Sequence, residues 1–82
     1  MPTEKEGTLT LTEMKQAAGV RVLQIPEGLL GAQLMRLGIS EGSELTCALK
    51  IPTGPIVVRR GDVEIALGRK IASKIQVEIQ YA

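Results

Sequence analysis

The sequence predicts a mainly β domain: a small barrel or sandwich of five to six short antiparallel strands, one helix, and one or two helical turns. Three observations carry this reading. Apolar and polar residues alternate in short runs, most plainly over 44–51 and 75–81, which is the period of a half-buried strand. Turn-forming clusters separate those runs, among them Pro26-Glu27-Gly28, Ser40-Glu41-Gly42 and Pro52-Thr53-Gly54-Pro55. Finally, Gly61-Asp62 stands between two alternating runs, which is a hairpin signal.

Taken in order, Leu9 and Leu11 alternate with Thr8 and Thr10 in a short first strand. Thr10 and Glu13 have capping-box spacing, so a helical turn is expected over 12–16, closed at Ala17-Ala18-Gly19 with Gly19 as its stop. A second strand covers 20–25, with Val20 and Val22 on one face and Leu23 and Ile25 on the other, both partly covered. Leu29, Leu30, Leu34 and Leu37 fall at helical spacings and predict a helix over about 29–37. Met35 extends its apolar stripe, and Gln33 and Arg36 form its wetter side. Gly38 stands where a left-handed cap belongs, and Ile39 can fold back on Leu34. The strand over 44–51 points Leu45, Cys47, Leu49 and Ile51 one way and Glu44, Thr46, Ala48 and Lys50 the other.

The hairpin over 54–69 is specified residue by residue. With the turn at Gly61-Asp62, Arg60 opposes Val63, Arg59 opposes Glu64, Val58 opposes Ile65, Val57 opposes Ala66 and Ile56 opposes Leu67. Opposed side chains share a face. Ile56, Val58, Val63, Ile65 and Leu67 therefore make one apolar wall, and Arg59 and Glu64 a charge pair on the other side. Gly68 ends the strand, residues 69–73 allow one helical turn, and Ile75, Val77, Ile79 and Tyr81 line a last strand. Gly38, Gly42, Gly54, Gly61 and Gly68 are each accounted for as caps or turns.

At 82 residues the chain is one domain, with residues 1–7 a flexible polar tail and 8–82 the folded unit. It has no Trp or Phe and a single Tyr, so the core must be aliphatic. A net charge of +1 gives no bulk attraction to nucleic acid or to an anionic membrane. One Cys excludes an internal disulfide framework and suits a reducing compartment. With no signal peptide and no apolar run near the roughly 20 residues that span a bilayer, a cytoplasmic protein without membrane insertion is expected.

Few residues suggest catalysis. The chain has no His, so the commonest general base and any Ser-His or Cys-His dyad are missing. Cys47 falls on the apolar side of its strand and reads as a small hydrophobe. Without His or a second thiol a transition-metal site is hard to build, and Glu64 and Glu78 would meet only if their strands were neighbours. Neither GxxxxGK[ST] nor GxGxxG occurs, so no nucleotide cofactor is expected. Single-strand nucleic-acid binding would need an aromatic platform that Tyr81 alone cannot make. A small regulatory domain that acts by contact remains, as a monomer or a weak dimer through exposed strand edges. Catalytic, cofactor and metal residues are thus none.

Three blocks resemble the FeoA family. Leu34-Met35-Arg36-Leu37-Gly38-Ile39-Ser40-Glu41-Gly42-Ser43-Glu44-Leu45 is similar to its helix-to-strand block. Ile65-Ala66-Leu67-Gly68-Arg69, followed by Ala72 and Ile75-Gln76-Val77, resembles its ending. Leu11-Thr12-Glu13-Met14 with Gly19 resembles its start. The resemblance spans about residues 9–80 and rests on order and spacing. It implies an SH3-like β-barrel with an inserted helix and an accessory role in bacterial ferrous iron uptake. It also implies a FeoB-like membrane transporter with a cytoplasmic G domain as partner. The docking surface is expected on the exposed side of the 29–37 helix and the hairpin rim, with Arg36, Arg59, Arg60, Arg69 and Lys70 as candidate contacts. Two other roles follow less directly: a GTPase activator supplying an arginine finger from Arg59, Arg60 or Arg69, or a transition-metal sensor or chaperone. The same module occurs in DtxR-type repressors, whose winged-helix DNA-binding part is not in this sequence.

Overall fold

Six strands pair in the order β1-β6-β2-β3-β4-β5, every neighbouring pair antiparallel. The computed structural model describes residues 8–80, so the expected tail and the Tyr81 end of the last strand lie outside the described residues. Along the chain the elements are β1 (Thr8–Thr10), a 3₁₀ turn (Leu11–Glu13), β2 (Gly19–Gln24), α1 (Gly28–Arg36), β3 (Glu44–Lys50), β4 (Ile56–Arg60), β5 (Val63–Leu67), α2 (Arg69–Ala72) and β6 (Gln76–Ile79). Inward residues of β2 to β6 meet in one core with Leu11, Met14, Leu34, Ile39 and Ala72. No polar or charged side chain among the described residues is buried there. Burying aliphatic surface at roughly 25 cal/mol per Å² is what holds so small a sheet together.

The β4–β5 register is the expected one at all five positions. Arg59 Nη2 meets Glu64 Oε2 at 2.6 Å across the outer face. Ile56, Val58, Ile65 and Leu67 are buried, while Val63, beside the turn, is 47% exposed and lies outside the core. Helix α1 ends as expected. Gly38 has φ +86°, the Ile39 N–H reaches Leu34 O at 2.9 Å and the Gly38 N–H reaches Met35 O at 3.0 Å, the paired bonds of a Schellman end.

Elsewhere the structure corrects the alternation. In β3 the register shifts between Cys47 and Leu49, so Ala48 is an extra residue with no partner in β4. Such a bulge moves everything after it to the opposite face. Leu49 is therefore 44% exposed and Ile51 38% exposed, and Lys50, expected outside, turns inward with its Nζ donating to Met14 O at 3.0 Å. A second shift, between Val22 and Gln24 of β2, leaves Leu23 exposed instead of partly covered. Near the start, the helical turn lies at Leu11–Glu13 and not over 12–16, because Leu11 and Met14 are both anchored in the core. The Thr10 N–H donates to Glu13 Oε1 at 2.8 Å, the reach-back that the spacing predicted. The left-handed residue that closes this segment is Ala17, φ +72°, not Gly19, which enters β2. Two backbone bonds to β3 hold it: Ala17 N–H to Cys47 O at 2.8 Å and Cys47 N–H to Ala18 O at 3.0 Å.

Candidate docking site

Helix α1 is too apolar for the single face it buries. Gly31 and Leu34 are its buried residues and Leu30 is half-buried. Leu29, expected in the core stripe, is 76% exposed; Leu37 and Met35 are also exposed. The helix sits close against the turn that leads into it. A Cβ at Gly31 would collide with the Pro26 carbonyl oxygen, so only glycine lets α1 lie this near the turn that precedes it. One narrow line of contact is left, and the nine-residue helix does not direct all three of its leucines into it.

That seat opens a groove of about 560 Å³. Ile25, Pro26 and Gly31 line it together with Gly28, Ala32 and Met35, and Glu27, Ser40 and Glu41 complete it. Its lining is mostly apolar with a few polar groups. The two carboxylates are exposed, and neither forms a hydrogen bond or ion pair among the described residues. Sequence reasoning placed the docking surface on the exposed side of this helix but assigned that side to Gln33 and Arg36. The groove itself was missed. Its signal was an apolar residue count that exceeds one helical face.

The five basic candidates are spread over α1, β4 and α2. Arg36 is exposed in the last turn of α1, where a cation suits the helix dipole. Arg59 is exposed and engaged with Glu64. Arg60 is not an outer charge as expected. It opposes Val63 on the core side of the hairpin, and its half-buried guanidinium packs over Gly38 at the end of α1, with Nε lacking an acceptor. Arg69 is half-buried and donates from Nη2 to Ile51 O at 2.5 Å, tying α2 to the loop after β3. Lys70 is exposed beside it. The five glycines serve as caps and turns: Gly38, Gly42 and Gly61 with positive φ, Gly54 in the loop before β4, and Gly68 at the N-cap of α2.

Cys47 is buried, and that burial pushes its thiol above the ordinary value, outweighing the opposite pull of Lys50 and of backbone N–H groups. Among the described residues no group of three or more His, Cys, Asp or Glu side chains comes together. Glu64 and Glu78 sit on strands that are not neighbours, and Glu78 instead meets Arg21 at 3.4 Å. No helix among the described residues is long and apolar enough to cross a membrane.

Comparison with known proteins bears on the whole unit. A sequence model of the FeoA domain matches residues 9–79. Among solved structures, an iron uptake regulatory protein (FeoA) superposes with a TM-score of 0.81 at 27% identity, over 89% of this chain and 99% of that one. A FeoA-like protein from Clostridium acetobutylicum gives 0.79 at 28% identity, over 93% and 91%. The zinc complex of Stenotrophomonas maltophilia FeoA, a procaryotic SH3 domain protein, gives 0.75 at 24% identity over 85% and 89%, a likeness of fold. No curated protein sequence matches this one.

Proposed function

The chain belongs to the FeoA family, which is linked to ferrous iron transport, and on that premise we propose that it is a cytoplasmic accessory protein that regulates a FeoB-like iron transporter by direct contact. The observation that carries this reading is the apolar surplus of α1: Leu29 and Met35 on the surface beside a groove of about 560 Å³. Exposed apolar surface of this kind on a small domain marks an interaction site. On this reading iron is the transporter's cargo, and the chain acts on the transporter that carries it. The docking surface is centred on the exposed side of α1; of the basic candidates Arg36, Arg59 and Lys70 are exposed, and none of them lines the groove.

The test is a titration of the transporter's cytoplasmic G domain with the full chain, by calorimetry or pull-down, in nucleotide-free, GDP and GTP-analogue states. Binding in at least one state is expected; no binding at high micromolar concentration in all of them sinks the proposal. An arginine-finger role has less support. A finger must project freely onto the transferring phosphoryl group, whereas Arg59 is paired with Glu64 and Arg60 and Arg69 are half-buried. GTP turnover by the partner is accordingly expected to be unchanged by adding this chain.

A further inference from the structure

We infer that the α1 groove takes an apolar side chain presented by a basic segment of the partner: an anchor residue flanked by Lys or Arg. This deepens the docking role proposed above and rests on it. The walls set the first half of the specificity. Ile25, Pro26, Ala32 and Met35 offer apolar contact, with Ser40 the one hydroxyl in the lining, so a group seated against that wall is apolar to avoid a desolvated polar atom.

The rim sets the second half. Glu27 and Glu41 both line the groove, both are exposed, and no Lys or Arg lines it. The first turn of α1 opens at Gly28 and contributes a positive end of about half a unit charge. Two carboxylates outweigh that, so the mouth is net negative and an acidic segment is repelled. The chain as a whole has a net charge of +1, so this negative mouth is a local feature and not a property of the surface at large. Rim charges of this kind govern partner choice and encounter rate more than raw affinity. Met35 at the wall can re-pack around an anchor of varied shape, so the groove constrains charge more tightly than side-chain identity.

The probe is a set of short synthetic peptides carrying a Leu-Leu pair between lysines, between serines or between glutamates, titrated into the isotope-labelled full chain and followed by NMR. The lysine peptide is expected to shift the amides of Gly28, Ala32 and Met35, and to bind several-fold more tightly than the glutamate peptide. That gap should shrink at high salt. Replacing Leu-Leu by Ser-Ser should abolish the shifts. Ala32→Trp, at an exposed position, should fill the groove and block every peptide. The double change Glu27→Gln with Glu41→Gln should equalise the three leucine peptides. The inference is overturned if lysine and glutamate peptides bind equally, if shifts map to β4–β5, or if the groove amides shift with protein concentration alone, which would make a second copy the occupant. The two readings fail separately. If Ala32→Trp still binds the transporter domain, the groove is wrong and the docking role stands. If peptides bind the groove but the wild-type chain never binds the transporter, the partner is wrong and the groove stands.

Discussion

The β4–β5 hairpin and helix α1 are both rich in aliphatic residues, and they dispose of them differently. In the hairpin, Ile56, Val58, Ile65 and Leu67 all point into the core, and the outer face carries the Arg59–Glu64 pair. In the helix only Leu34 is a fully buried large side chain, while Leu29, Met35 and Leu37 stay on the surface. A strand of period two delivers alternate residues to the core by geometry. A short helix seated through a glycine delivers one line. The hairpin's apolar content is therefore explained by folding, whereas much of the helix's is not. Surface that folding does not require is where a partner is to be sought.

This contrast can be broken by substitution, and the largest effect should come from the hairpin. Ile65→Ala is expected to cost about 2–5 kcal/mol in chemical denaturation, as deletion of a core side chain does. A near-neutral result would mean that the wall is not core. Gly31→Ala should come next, at about 1–3 kcal/mol, because the new methyl group must displace backbone at Pro26 and not a movable side chain. It should also weaken partner binding, since the groove floor moves with it. Cys47 gives a pH handle on the wall that β3 shares with the hairpin. Its folded pKa is raised above 9.0 by burial, so the stability it contributes is full below about pH 9 and is lost as pH rises through the folded pKa. Wild type should thus lose stability in alkali faster than Cys47→Val; parallel curves would contradict burial of the thiol. Arg59→Ala should cost at most about 1 kcal/mol, since the pair is exposed and screened. Smallest of all, Leu29→Ser should change stability by no more than about 0.5 kcal/mol while weakening transporter binding. Large loss of stability there would return Leu29 to the core and dissolve the contrast.

Much of the fold was legible because local rules agreed with the global one. Gly61-Asp62 set the hairpin register, and Gly38 with Ile39 set the end of α1. The misreadings share a physical cause. Bulges at Leu23 and Ala48 carry no glycine or proline to announce them, so strict alternation put Leu49 and Ile51 inside and Lys50 outside. Ala17 takes a left-handed conformation in a segment pinned to Cys47 by its own N–H and by the Ala18 carbonyl, tertiary bonds that no local propensity contains. The groove beside α1 is likewise non-local. It forms where the Pro26 turn, α1 and the Ser40-Glu41 turn converge, and single elements read separately do not reveal it. Arg60 is the instructive exception. Its register opposite Val63 already placed it on the core side, and the hairpin's own pairing argued against counting it as an outer charge.

The pairing of β1 with β6 has a mechanical consequence. Thr8 lies opposite Glu78 and Thr10 opposite Gln76, so the first and last strands are antiparallel neighbours whose outer ends leave the sheet side by side. Tension applied through residues 8 and 80 would load one rung of the ladder at a time, peeling the strands apart as a zipper opens, instead of shearing all rungs together. The domain should yield to low force along that axis while resisting heat and denaturant through a core that β1 scarcely enters. In a single-molecule pulling experiment, β1 should detach before the β2–β5 portion of the sheet unfolds.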